Sequence, residues 1–137
     1  MNRFTRTMIV AGPILTGAAL QQARADVVVI VSANSPATKM TTEEISRIYL
    51  GRSNRMKPLD IAEPSNTRHI FYAKVAGRND AQVKAIWSKL VFAGRVSTPK
   101  ELSATEVVKS VAADPNAIGY VDRSFVNLTV KIVYVVE

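Results

Sequence analysis

The sequence predicts a single α/β domain, and three observations predict it. Runs rich in Val and Ile are separated by amphipathic helical patterns. One run, Val27-Val28-Val29-Ile30-Val31, is continuously β-branched, as in a strand covered on both faces. From Asp26 onward there are 112 residues, enough for one core and too few for two compact domains, with no internal repeat, low-complexity tract or long linker.

The elements follow in order. Asn34-Ser35-Pro36 ends the first strand. Thr41 and Glu44 have capping-box spacing, and Ile45, Ile48 and Tyr49 then fall on one helical face until Gly51 stops it. Residues 51–58 form a polar, basic loop. Leu59-Asp60-Ile61-Ala62 reads as a short strand, and Glu63-Pro64 as a turn. A helix follows Ser65 and ends at Gly77, with Ile70, Phe71 and Val75 as its apolar stripe. Asn79 or Asp80 caps the next helix, residues 81–92, with Val83, Trp87, Leu90 and Val91 facing inward and Gly94 closing it. Residues 95–102 are expected to be loop. Ser103 and Glu106 open another capped helix through Val107, Val108 and Val111, stopped at Asp114-Pro115. Ala117-Ile118-Gly119-Tyr120-Val121 reads as a strand whose glycine marks close backbone approach, and residues 130–136 as the last strand. The expected order is β-α-β-α-α-α-β-β.

Residues 1–25 read as a cleavable signal peptide. Arg3 and Arg6 make a positive start, residues 8–20 are apolar but broken by Gly12, Pro13 and Gly17, and Ala23-Arg24-Ala25 fits a small-x-small cleavage site. The apolar run is too short to span a bilayer; an uncleaved anchor is the competing reading, and stable membrane insertion is not expected. Cleavage would leave Asp26 first and place the protein in a bacterial periplasm. Removing the leader's three arginines leaves 15 basic against 11 acidic residues, a net charge of +4. That balance suits a small anion or a weak acidic contact and is no nucleic-acid signature.

Little in the chain suggests catalysis. There is no cysteine and a single histidine, which excludes disulfides and thiol chemistry and leaves no expected metal site or cofactor. No phosphate-loop, dinucleotide or nucleophile-elbow motif appears. Glu43, Glu44 and Glu106 sit at helix starts, where capping explains them. The densest basic stretch, Arg47, Arg52, Arg55 and Lys57, reads as a solvated helix end and loop. Trp87 reads as core packing or as a ligand platform, Asp122 as a turn residue or a polar contact, and His69 as solvent-facing or site-lining.

The segment that carries most chemistry is Ser65-Asn66-Thr67-Arg68, between a strand-turn and a helix start. Free helical N–H groups, two hydroxyls and a guanidinium are what a phosphate or sulfate needs. An ordinary Ser65 N-cap with nothing bound is the other reading. Asp60 and Glu63 flank the segment and would repel an anion if they pointed inward.

Three segments in order resemble the phosphate-binding proteins of ABC transporters, in the type II periplasmic-binding-protein superfamily. Ile48-Tyr49-Leu50-Gly51-Arg52 is similar to that family's Ile-Phe-Leu-Gly-Lys, Ser65-Asn66-Thr67-Arg68 to its Ser-Gly-Thr-Arg, and Ala117-Ile118-Gly119-Tyr120-Val121 to its Ala-Ile-Gly-Tyr-Val. The resemblance implies one periplasmic-binding-protein-like lobe, a small mixed sheet flanked by about four helices. It implies phosphate or a related oxyanion as ligand, with Ser65, Asn66 and Thr67 as donors and Arg68 as ligand contact or turn support. Family members have two lobes, so a homodimer or partner protein completing the cleft, and an ABC transporter permease, are the implied partners. Three departures weaken the expected site: Asn66 replaces a glycine, Ile61 stands where some members carry a ligand-binding Arg, and the loop after Gly51 lacks the family's Trp. The expected function is therefore a non-enzymatic, solute-binding-like protein with weak or shared anion binding. The alternative is a periplasmic adaptor that keeps the fold without high-affinity ligand.

Overall fold

The β-branched run forms an interior strand of the sheet. A computed structural model describes residue 12 and residues 26–94 and 97–137. The expected leader therefore lies outside the described residues, Gly12 apart. β1 (Val27–Ser32) is buried at every position. It pairs antiparallel with β4 (Ala117–Asp122) on one side and with β5 (Val130–Val135) on the other. β2 (Lys57–Ile61) runs parallel to β4, and β3 (Lys100–Leu102) parallel to β2. The result is an open, mixed five-stranded sheet in the order β3-β2-β4-β1-β5.

Helices cover both faces, which is why β1 needs apolar residues without alternation. α4 (Ala104–Ala113) lies on one face. Gly119 is a point of close approach: a Cβ there would sit 2.6 Å from Val107 Cγ1. Tyr120 is the next residue of β4 and points to the opposite face. It meets Tyr49 of α1 (Thr42–Tyr49) and Phe71 of α2 (Asn66–Phe71) there. The Phe71 and Tyr120 rings stack at 3.9 Å, and Tyr49 stands edge-on to Phe71 at 4.7 Å. The Tyr49 hydroxyl lies 2.8 Å from the Leu59 carbonyl and 3.2 Å from that of Ile118, so one buried donor ties α1 to β2 and β4.

The capping signals act as expected. Thr41 with Glu44 and Ser103 with Glu106 form capping boxes, and Asn79 rather than Asp80 caps α3 (Asp80–Phe92) through a third box with Gln82. Other expectations need correction. The helix from Asn66 does not stay α-helical to Gly77; Tyr72–Ala76 is a π-helical segment. Val91 does not face inward but is exposed, so α3 is anchored by Val83 and Trp87. Residues 100–102 are not loop but β3, giving the order β-α-β-α-α-β-α-β-β. Three residues are too few to show a period, and only their place beside β2 makes them a strand. Among the described residues, no helix is long and apolar enough to cross a membrane.

Candidate functional site

β2 and β4 run parallel, so both carboxyl ends reach the same edge of the sheet. The chain leaves β2 at Ile61, passes a cis Glu63–Pro64 peptide and enters α2 at this edge. Carboxyl edges of open α/β sheets are where ligands usually bind. Ser65 is the N-cap: its backbone is extended, and its Oγ accepts the Arg68 N–H at 3.1 Å. Asn66 and Thr67 are the first two helical positions, so their N–H groups have no intrahelical acceptor. Ser65 and Thr67 are half-buried and Asn66 is exposed. Among the described residues no non-glycine has positive φ. Asn66 thus replaces the motif's glycine without needing a left-handed backbone. What it adds is a side chain at the mouth of the turn.

Arg68 lies in the same segment, but its guanidinium is turned into the protein. Its side chain is only 7% exposed. Nη1 donates to the Ile61 carbonyl at 3.0 Å and to Glu101 Oε1 at 2.9 Å, and lies 3.4 Å from Asp60 Oδ2. Nη2 lies 3.6 Å from Glu63 Oε1. Asp60 is itself buried and accepts the hydroxyls of Tyr120 and, at 2.8 Å, Tyr72. Burial pushes the Asp60 carboxyl above its ordinary value, against the opposing pull of Tyr120, Arg68 and Tyr72. Burial also works against the charge of Arg68. The field of Asp60 outweighs it together with the Glu101 hydrogen bond, so Arg68 holds its proton more tightly than a free guanidinium. Burial, and then the Asp60 charge, keep Tyr72 and Tyr120 protonated, as donors must be.

A depression of about 500 Å³ opens beside the turn, lined by Glu63, Ser65, Asn66, His69 and Asp80. His69 Nδ1 lies 2.8 Å from Asp80 Oδ2, and the imidazole is largely exposed. The turn therefore offers hydroxyl and N–H donors, with its nearest cation committed to carboxylates.

No family model and no curated protein matches the sequence. Solved structures do match. One is assigned as a phosphate ABC transporter substrate-binding protein from Clostridium perfringens, determined with bound phosphate; it is 21% identical with a TM-score of 0.61. Another is an ABC-type phosphate transport receptor from Vibrio cholerae, at 17% identity and a TM-score of 0.60. A third is PstS from Borrelia burgdorferi, at 12% and 0.56. Each similarity covers 79% of this chain but only 44–46% of the other. The fold is that of a periplasmic-binding-protein-like lobe. The chain spans less than half the length of the structures it matches.

Within this lobe, several side chains are placed that local sequence left open. Asp122 accepts the N–H and hydroxyl of Ser124, so it is a turn residue. Trp87 is buried, and its indole N–H donates to the Tyr49 carbonyl at 2.9 Å. Of the basic stretch, Arg47 pairs with Glu43 at 2.8 Å and Arg55 with Glu44 at 3.5 Å. The lobe residue that the sequence reading missed is Glu101. It stands 33 positions from Arg68, and no local signal joins the two. Asp60 was visible as a flanking acid; its burial beneath the turn was not.

Proposed function

We propose that the chain is an exported, solute-binding-like protein that recognises phosphate or a related oxyanion weakly, at the turn Ser65-Asn66-Thr67. The carrying observation is the turn's geometry: a Ser N-cap and two unpartnered N–H groups at the carboxyl edge of a lobe whose solved relatives include one with bound phosphate. In this reading Arg68 supports the turn from behind, and Ser65 and Thr67 supply the hydroxyls. The chain spans less than half of its relatives' length, and in this reading a second copy or a partner protein supplies the opposing donors. Hydrogen bonds open to water contribute little net affinity, which is why binding by one lobe should be weak. Recognition by an ABC transporter permease and periplasmic location belong to the same reading. The relatives are binding proteins, and the reading is non-enzymatic.

A specific observation favours a second reading, a periplasmic adaptor without high-affinity ligand. Arg68 is occupied by three carboxylates, and Glu63 and Asp80 line the depression at the turn. Calorimetry with phosphate, sulfate and a neutral control separates the two. Saturable heat with phosphate, reduced in Thr67→Ala, supports the first; no heat at millimolar phosphate leaves the adaptor.

A further inference from the structure

A second groove lies away from the turn. It has a volume of about 790 Å³ and lies at the opposite, amino end of β2. Lys57, Pro58 and Leu59 of β2 form one wall, and residues 97–100 leading into β3 form another. Its floor is apolar: Ile48, Met56, Leu59 and Trp87. Gly51 closes the side next to α3, because its backbone approaches so closely that a Cβ would sit 2.3 Å from Leu90 Cδ1 and 3.4 Å from the Trp87 ring. The hydrogen bond to Tyr49 fixes the indole in place.

Among the described residues, the cations that line this groove are Arg52, Lys57 and Lys100, and no carboxylate lines it. All 11 acidic residues of the chain lie among the described residues. None is within ion-pair distance of Arg52 or Lys100, and Lys57 has only a 3.6 Å contact with Asp114, the lysine largely solvated and the carboxylate half-buried. The nearby acids Asp60, Glu63 and Glu101 line a separate, smaller cavity of about 300 Å³ that shares Trp87, Thr98 and Pro99 with the groove. Two features that the local sequence explained away, a solvated basic loop and a core tryptophan, are thus brought together with Lys100 by the fold.

The geometry points to a second binding site here, for a small amphiphilic organic anion: a carboxylate on an aliphatic or aryl body. A volume near 800 Å³ falls within the range of small-molecule sites, which combine an apolar lining with few polar anchors. The apolar body would lie over Leu59, Met56 and Trp87. The carboxylate would reach Arg52 and Lys100, where the hydrogen bonds are charge-assisted. Inorganic phosphate lacks the body and an alcohol lacks the charge, so neither should substitute. This site is independent of the anion turn, which lies beyond the other end of the same strand.

Trp87 is the sole tryptophan of the chain, so its emission reports this groove directly. Octanoate titrated into the full chain should change that emission saturably. 1-Octanol and inorganic phosphate should not. Arg52→Ala and Lys100→Ala should each weaken octanoate binding about tenfold, the usual consequence of losing one charge-assisted contact. Arg47→Ala removes an exposed cation outside the groove and should bind as the wild type does. Circular dichroism of each variant confirms that the fold is kept; since these side chains are at the surface, it should be. A flat titration to millimolar octanoate, an equal response to octanol, or variants that bind like the wild type would overturn the assignment.

Discussion

Arg68 and Asp60 form a buried ion pair, Nη1 to Oδ2 at 3.4 Å, directly beneath the turn between β2 and α2. Each side chain is more than nine-tenths buried. A charge placed there alone would be costly, so the two must be read together, with the Tyr72 and Tyr120 hydroxyls that complete the carboxylate's hydrogen bonds.

The first prediction concerns that dependence. Arg68→Ala should lose roughly 3 kcal/mol of stability, because it strands Asp60 without its counter-ion. Asp60→Asn combined with Arg68→Met should cost less than the two single changes added together. Urea unfolding followed by circular dichroism measures both. Additive losses would mean that the pair is not coupled.

The pH response follows from the direction of the Asp60 shift. Burial raises its carboxyl above the ordinary 3.8, so the native state keeps this proton to higher pH than the unfolded state does. Its contribution is complete below pH 3.8 and is lost as pH rises through the folded value. The stability difference between wild type and Asp60→Asn should therefore fall with rising pH from 3.8, by at most about 1.4 kcal/mol per unit. Glu44, held below its usual value first by the Thr41 N–H, titrates with the opposite sign. It is present in both proteins and cancels. A flat difference would show that Asp60 is ionised alike in both states.

Gly119→Ala tests the close approach of α4 to the sheet. The new methyl would sit 2.6 Å from Val107 Cγ1 and 3.0 Å from Val111 Cγ2. Overpacking of this kind costs about 1–3 kcal/mol. Adding Val107→Ala should recover part of the loss, whereas a fully tolerated alanine would mean that α4 stands farther off.

If the anion turn works as half of a cleft, light scattering should show phosphate-promoted dimerisation or partner capture, weakened by Ser65→Ala. That variant also removes an N-cap, with a stability cost of about 1 kcal/mol. Thr67→Ala, which leaves the cap, is therefore the cleaner reporter of lost phosphate binding. A monomer indifferent to phosphate at every concentration would argue for the adaptor reading.

Export is checked by mass spectrometry of the protein recovered from the periplasm. The expected N-terminal residue is Asp26. An intact Met1 would refute cleavage after Ala25.

Much of the fold was legible in order. Thr41 and Ser103 announced two helix starts, since a cap and its partner lie within one turn of each other, and Asn79 or Asp80 marked a third that the structure resolves to Asn79. The run at Val27 announced a strand buried on both faces, and Gly119 a close packing point. Ser65 was legible as a cap for the same reason. The candidate site was legible only as a segment. Sequence placed Arg68 beside Ser65 and Thr67, where a guanidinium could serve an anion or the turn.

By itself, then, the sequence determined the α/β class, the capped helix starts and the position of the hydroxyl-rich turn, because those signals act within a few residues. Only the tertiary structure decided where Arg68 spends its charge, that residues 100–102 form an edge strand, and that the basic loop meets Trp87 in a groove. The reason is physical. Glu101 reaches Arg68 across 33 residues of chain, through the register of β3 on β2, and no local pattern encodes that register.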